Sequence, residues 1–195
     1  MLKPATSGAD QRRTFTLGAN LLQTRMANVA IKPVTRSDAS DLIHANVQSR
    51  DYHTPWVQPF TDMEGFENWF GQVVTGPNFS LVAREESSGN VVGVLSISQI
   101  VLGLFRSAYL GYYGMVAHSR RGLMTQALRL TTAYAFSEIG LHRLEANIQP
   151  ANTASIALVR RIGFRREGFS PRYLKIGNVW CDHERWALLS EDSEG

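Results

Sequence analysis

Hydrophobic and polar positions alternate with two different periods along this chain, and the two periods predict helices and strands. Leu123, Ala127, Leu130 and Tyr134 recur at helical spacing and predict a helix over Leu123–Ile139. Short β-rich apolar runs predict strands instead. Seven such runs occur, at Val29–Val34, Phe79–Arg84, Val91–Ile100, Ser107–Val116, Leu144–Ile148, Phe164–Phe169 and Val179–Leu188.

Polar residues at the starts of other apolar segments predict three further helices. Ser37 is suited to cap the first of them. Thr61 opens a capping-box pattern in front of helically spaced aromatic residues. Asn152 or Thr153 is suited to cap a short helix that runs to about Arg161. About seven strands and about four helices in this order predict an α+β fold with a mixed, mostly antiparallel sheet.

Length and composition predict one folded domain. The chain has 195 residues, of which 44% are hydrophobic and 19% charged, so a disordered chain is excluded. We expect a loosely ordered extension at residues 1–24, a domain at residues 25–190 and an acidic tail at residues 191–195. No apolar run reaches the roughly 20 residues of a membrane span, and no secretory signal is expected. The single cysteine, Cys181, excludes an internal disulfide and favours a cytoplasmic location.

The charged residues suggest an anionic ligand without naming it. The net charge is +3, and 17 arginines stand against three lysines. Arginine suits bidentate capture of phosphate or carboxylate, but an arginine-rich solvated surface explains the same count. The five histidines lack metal-ligand spacing, so we expect no metal site. No recognisable nucleic-acid-binding module is present.

The most informative segment is Tyr112–Met124, where a predicted strand runs through a short basic loop into the long predicted helix. The free N–H groups at a helix N-terminus, together with the helix dipole, bind phosphate. Gly122 would let the backbone approach a bulky anion closely. Arg120 and Arg121 add positive charge to the same loop. The pattern favours a phosphate-binding site, although most strand–glycine–helix junctions are simply tight turns.

This loop resembles the motif Gln/Arg-x-x-Gly-x-Gly/Ala of the GNAT superfamily of N-acetyltransferases. Here it reads Ser-Arg-Arg-Gly-Leu-Met over residues 119–124, so the central glycine is present while both ends depart from the motif. Gly122–Leu128 is similar to the Rim-type members, which act on the N-termini of ribosomal proteins. The segments Asn152–Phe164 and Trp180–His183 extend the similarity, which covers about residues 22–190. The resemblance implies the GNAT fold, with a sheet splayed in its middle.

The resemblance also implies acetyl-CoA as co-substrate and assigns residues to it. Backbone groups at Met115, Val116 and Ala117 would pair with the pantetheine arm, and Asn152 would bond to it. Backbone N–H groups would hold the pyrophosphate, at positions Arg120, Arg121, Gly122, Leu123 and Met124. The slot for this ligand would open between the strands that contain Met115 and Glu145.

Chemistry in this superfamily is direct attack of an amine on the thioester in a ternary complex, which calls for a base and an acid. The resemblance implies Ser155 as the acid, because the tyrosine that many members use is Val159 here. A serine that only stabilises a helix start is the alternative. Glu145 is the candidate base, acting directly or through water, and an ion pair with Arg143 or another arginine is its alternative. The Rim-type carboxylate near the C-terminus is replaced by Arg172.

Three hypotheses for function follow. The leading one is acetylation of a protein N-terminal amine, on a ribosomal protein by resemblance. The second keeps the chemistry with a small amine as acceptor: a polyamine, amino sugar, amino acid or antibiotic. The third is a non-catalytic module that binds acyl-CoA or a ribosomal particle. We expect a monomer or homodimer without membrane contact. Five aromatic residues either fill the core or line the acceptor groove, namely Tyr52, Trp56, Phe60, Phe66 and Trp69.

Overall fold

Eight strands form one mixed sheet in a computed structural model that describes residues 24–26, 28–75 and 78–193. Across the sheet the order is β1-β2-β3-β4-β5-β6-β8-β7, and only β5 and β6 pair in parallel. The mixed, mostly antiparallel sheet that the sequence predicts is therefore confirmed. The strands are β1 Thr24–Met26, β2 Val29–Pro33, β3 Phe79–Glu85, β4 Val91–Val101, β5 Ser107–Gly114, β6 Arg143–Ile148, β7 Arg165–Ile176 and β8 Val179–Leu189.

Five helices cover the two faces of this sheet. They are α1 Ala39–Gln48, α2 Arg50–His53, α3 Met63–Thr75, α4 Leu123–Ser137 and α5 Thr153–Arg161. The structure adds one strand and one helix to the predicted set. The strand β1 and the helix α2 span three and four residues, too few to produce a sequence period. None of the described helices combines the length and the apolar character that crossing a membrane requires.

The N-terminal extension and the acidic tail that the sequence predicts fall largely outside the described residues. Of the predicted extension, residues 1–23 lie outside and Thr24 begins β1. Of the predicted acidic tail, Glu191 and Asp192 belong to a short 3₁₀ turn after β8, and residues 194–195 lie outside. The domain limits stay a prediction.

Two apolar cores lie on opposite faces of the sheet, because side chains alternate along each strand. The face under α4 buries Leu128 and Leu144 in the larger core. The face under α1 and α3 buries Leu42, Phe66 and Phe70. The five aromatic residues singled out in the sequence therefore lie in two different places. Phe60, Phe66 and Trp69 pack together in the second core, whereas Tyr52 and Trp56 line the cavity described below.

The parallel pair β5–β6 is short, and this positions the site. Pairing joins Ser107–Tyr109 to Arg143–Glu145 over three residues. β5 continues to Gly114 and β6 to Ile148 without pairing to each other, so their facing edges part. The splayed sheet that the resemblance implies is confirmed. A ligand that enters this opening meets backbone N–H and C=O groups that are not hydrogen-bonded to a neighbouring strand.

Leucine-to-alanine substitutions at two sites test the assignment of the core. Leu128 is fully buried in α4, and Leu104 is fully exposed between β4 and β5. We expect Leu128→Ala to lower the free energy of unfolding by about 2–5 kcal/mol, because it removes packed methyl groups and leaves a cavity. The matched control Leu104→Ala should change it by less than about 0.5 kcal/mol. Urea denaturation measures both, and equal losses would contradict the assignment.

Candidate active site

A cavity of about 960 Å³ occupies the opening between β5 and β6. Its walls come from α2 and the segment after it, the end of β5, the loop before α4, β6, α5 and the β7–β8 hairpin. Of the residues singled out by the sequence, the cavity walls contain Met115, Arg120, Gly122, Met124, Asn152 and Ser155. They do not contain Val116, Ala117, Arg121, Leu123 or Glu145.

The loop in front of α4 has a backbone suited to binding an anion. Arg120 and Gly122 both adopt left-handed conformations, with φ of 59° and 76°. Within the described residues, the N–H groups of residues 120–125 have no hydrogen-bond acceptor. A Cβ added at Gly122 would meet no atom within 4 Å, so the space beside this backbone is open. Consecutive free N–H groups at a helix N-terminus form a concave donor surface that suits a pyrophosphate.

The two arginines of this loop differ in what they can contribute. Arg121 donates to a carboxylate oxygen of Glu85 and, at 3.1 Å, to Nδ1 of His118, so its side chain points away from the cavity. The Ser88 hydroxyl and the Arg121 guanidinium hold the pKa of Glu85 below its ordinary value, and the pair stays charged. Arg120 has no ion pair among the described residues and borders the cavity. Arg120 thus provides the free positive charge, whereas Arg121 contributes its backbone.

Met124, which stands where the motif has a small residue, is accommodated by two glycines on the strands below it. A Cβ at Gly93 would lie 2.5 Å from Sδ of Met124, and one at Gly114 would lie 2.9 Å from its Cγ. Gly93 and Gly114 face each other across β4 and β5. The two glycines on the sheet thus leave the space that the large Met124 side chain needs. Leu123 is buried in the core, so only its backbone can face a ligand.

The strand predicted to reach Val116 ends at Gly114, which corrects the sequence analysis. Val116–His118 form a 3₁₀ turn. The Met115 N–H donates to the carbonyl of Val92 at 2.9 Å, and the Val116 N–H donates to Oγ of Ser49 at 3.1 Å. These two donors are already used within the protein. Val116 and Ala117 border a smaller neighbouring cavity beside α1. Pantetheine pairing at Met115, Val116 and Ala117 stays a prediction.

Ser155 lies at the cavity with its hydroxyl bonded to a buried phenol. Its Oγ is 2.6 Å from Oη of Tyr112, which comes from β5. The helix is capped by Asn152 instead, whose Oδ1 accepts from the Ser155 N–H at 3.1 Å and leaves its Nδ2 available. Burial raises the pKa of Tyr112 to about 12, and the bond to Ser155 offsets part of that rise. The phenol therefore stays protonated near neutral pH.

The sequence analysis did not identify Tyr112, because a catalytic phenol was expected on helix α5, at position 159. Val159 is fully buried, and the phenol reaches Ser155 from the strand instead. The alternation of residues along the strand was nevertheless visible in the sequence. Period-two alternation along β5 places Tyr112 on the same face as Leu110, towards α4 and α5.

Glu145 occupies the closed end of the slot. It forms the last parallel pair with Tyr109, and its Oε1 accepts from Nε of Arg143 at 2.8 Å. The structure thus contains the ion pair that the sequence left open as an alternative, and a role as base stays a prediction without geometric support. Cys181 also lies outside the cavity walls. No group of three or more possible metal ligands occurs among the described side chains.

A model of one protein family matches this arrangement of strand, anion-binding loop and helix. The family is described as "Acetyltransferase (GNAT) domain", and the match covers residues 28–165. The chain belongs to the GNAT acetyltransferases. It is therefore an N-acetyltransferase of the GNAT type, and the family uses acetyl-CoA.

Bacterial relatives match this chain over most of their lengths. A probable N-acetyltransferase, YjcK of Bacillus subtilis, is 40% identical over 174 residues, which are 85% of this chain and 96% of that protein. The [ribosomal protein uS5]-alanine N-acetyltransferase of Escherichia coli is 29% identical over 191 residues, 91% and 97% of the two chains. The structure of Mycobacterium smegmatis RimJ in complex with CoA-disulfide superposes with a TM-score of 0.77 at 28% identity, over 86% of this chain and 84% of that one.

The GNAT site of this chain fits acetyl-CoA on its own geometry. The loop from Arg120 to Met124 offers the free N–H groups and the open space that a pyrophosphate needs. When bound, acetyl-CoA supplies an acetyl group activated as a thioester. The side chains around the cavity then have two tasks, which are orienting the acceptor and moving protons.

Two glycine-to-valine variants test the anion-binding loop. Gly122→Val would place a bulky side chain in the open space beside the free N–H groups, and we expect calorimetry to show loss of CoA binding. Gly103→Val is the matched control, because Gly103 has a φ of 72° and equally open surroundings at the far β4–β5 connection. Both should lose about 1–2 kcal/mol of stability from left-handed strain. Unchanged CoA affinity in Gly122→Val would refute the placement.

Proposed function

We propose that this enzyme acetylates the N-terminal α-amine of a protein substrate, a ribosomal protein being the first choice, by direct attack in a ternary complex in the cytoplasm. The observation that carries the proposal is the charge of the cavity walls. Among the described residues that line it, Arg120 and Arg161 are the charged ones, and neither Asp nor Glu is present. A polyamine carries two or more positive charges, which require carboxylates when they leave water.

The walls on the acceptor side support an uncharged first side chain on the substrate. Trp56 and Val57 line this side from the segment after α2, and Leu174 and Ile176 line it from β7. The Gln58 side chain packs against Gly177, so the segment and the hairpin meet above the cavity. Apolar walls of this kind favour small apolar or hydroxyl side chains such as Ala or Ser. The relative named for a ribosomal protein alanine supports the same class of acceptor.

Proton delivery to the leaving sulfur is the role we propose for Ser155. Its hydroxyl faces the cavity and is bonded to the phenol of Tyr112, which stays protonated near neutral pH. A proton given up by Oγ is replaced from Oη along the 2.6 Å hydrogen bond. The position of Cys181 outside the cavity walls supports transfer without an acetyl group carried on this cysteine.

A panel of amines tests the proposed acceptor. We expect peptides that begin with Ala or Ser to be acetylated with kcat/KM at least about tenfold above spermidine, glucosamine or free amino acids, a ratio that about 1.4 kcal/mol produces. Thiol release measures turnover, and peptides with blocked N-termini are the control. Higher kcat/KM for spermidine would contradict the proposal. CoA binding without turnover of any amine would favour a binding module instead.

Removing the Ser155 hydroxyl tests its role as acid. We expect Ser155→Ala to lower kcat by about 10²–10⁴-fold, the usual range for general acid catalysis, with CoA affinity nearly unchanged. The melting temperature should change little, because Asn152 supplies the helix cap and the Tyr112 hydroxyl can still donate to the Ser155 carbonyl, 3.3 Å away. Ser137→Ala at the exposed end of α4 is the matched control. A loss of kcat below tenfold would mean that water supplies the proton.

A further inference from the structure

We propose that His183 on β8 is the general base that deprotonates the acceptor amine. The inference rests on the amine acetylation proposed above, but it holds for any amine that the cavity accepts. The sequence analysis assigns this side chain no catalytic role. It replaces Glu145, which is bound to Arg143 at the closed end of the slot.

The hydrogen bonds of the ring fix its tautomer. Nδ1 of His183 lies 2.9 Å from the carbonyl oxygen of Cys181. A carbonyl only accepts hydrogen bonds, so Nδ1 carries the proton and Nε2 carries the lone pair of the neutral ring. The ring lines the cavity although only 3% of the residue is exposed. Its Nε2 has no hydrogen-bond partner in the described part of the chain and, unlike Nδ1 of His53, is not completely buried.

Two other histidines line the cavity, and neither offers an available lone pair. Nε2 of His53 donates to the carbonyl of Gly114 at 2.9 Å, which leaves its Nδ1 as the acceptor. That Nδ1 is completely buried, and burial lowers the pKa of His53, so an incoming amine does not reach it. Nδ1 of His118 already accepts from Arg121 at 3.1 Å. Of the three rings, His183 alone combines a free lone pair with access to the cavity.

The other titratable groups of the described cavity walls are unsuited to take a proton. The pKa of Tyr112 and that of Tyr113 are both raised by burial, so these phenols stay protonated. Tyr173 on the neighbouring strand β7 contacts the His183 ring, with ring centres 6.2 Å apart, and Arg185 lies on the same face of β8 itself. With His53 across the cavity, none of them is a carboxylate that would bind the imidazolium permanently.

A second polar residue of the cavity wall lies near this base. Asn147 on β6 faces Arg185 across the strand pair, so it is a diagonal neighbour of His183 on the same face of the sheet. Such positions are about 7–8 Å apart. Asn147 lines the cavity, but its Oδ1 is as completely buried as Nδ1 of His53 and has no hydrogen-bond partner within the described residues. An incoming amine therefore does not reach this oxygen, and the proton transfer is assigned to His183 alone.

The proton balance of the transfer is complete with these groups. Nε2 of His183 takes one proton from the ammonium and passes it to solvent. The freed lone pair forms the C–N bond, and the C–S bond breaks with its electron pair on the sulfur. The nitrogen then loses its second proton to solvent, Ser155 delivers one proton to the sulfur, and the Ser155–Tyr112 pair regains one proton from solvent. One ammonium and one thioester yield one amide, one thiol and one released proton.

The test compares His183→Gln with His142→Gln, using whichever amine of the panel the wild-type enzyme acetylates. His142 is a half-exposed surface residue paired with Glu191, so its variant should keep the wild-type rate. We expect His183→Gln to lower kcat by about 10²-fold or more, with CoA affinity unchanged by calorimetry. The acid limb in the pH profile of kcat/KM, which reports the essential base of the free enzyme, should disappear. His183→Asn repeats the measurement should the first variant be unstable.

Two results would overturn the assignment. One is a folded His183→Gln or His183→Asn variant whose kcat stays within tenfold of wild type. The other comes from nitrogen NMR of the wild-type ring without any substrate, if it shows Nε2 protonated and Nδ1 bare. Acceptance of only small amines would refute the proposed N-terminal substrate and leave the role of His183 intact, so the two failures are distinguishable.

Discussion

The site depends on the parting of β5 from β6. These strands form the only parallel pair of the described sheet, and parallel neighbours require a crossover connection, which here is α4. The crossover begins where β5 ends, so the helix N-terminus and its free N–H groups lie at the mouth of the opening. One topological constraint thus supplies both the slot and the anion-binding loop. The three-residue parallel ladder decides how deep the slot extends.

The slot also brings together side chains from both faces of the sheet. Tyr112 and Ser155 belong to the side covered by α4 and α5. His183 and Asn147 belong to the opposite side, where α2 and the β7–β8 hairpin form the walls. In a sheet without this opening, the hydrogen-bonded strands would separate these two pairs of side chains, because they lie on opposite faces. A proton acceptor and a proton donor can serve the same reacting centre from opposite sides only where the ladder is interrupted.

Features that depend on local interactions could be predicted from the sequence. Features that depend on contacts between residues far apart in the sequence could not. Helix α4 was predictable from its apolar spacing, and so was the glycine before it. The bond between Ser155 and Tyr112 joins positions 43 residues apart, and the contact of Arg121 with Glu85 joins positions 36 apart. No sequence period encodes such pairs. The tautomer of His183 depends on a backbone carbonyl, which every residue has and no motif reveals.

The proposed neutral base, in cavity walls whose described residues include no carboxylate, is matched to an α-amine. Such walls do little to stabilise an ammonium, so the cost of removing its proton depends mainly on the pKa of the amine itself. Ordinary pKa values are about 7.7–8.0 for an α-amine and about 10.4 for an alkyl amine such as the lysine side chain. Deprotonation at neutral pH therefore costs the alkyl amine about 3.5 kcal/mol more, at about 1.36 kcal/mol per pKa unit. A polyamine also carries further ammonium groups that carboxylates would have to bind, and the described walls of this cavity contain none. The proposed imidazole base and the proposed N-terminal acceptor thus have the same electrostatic origin.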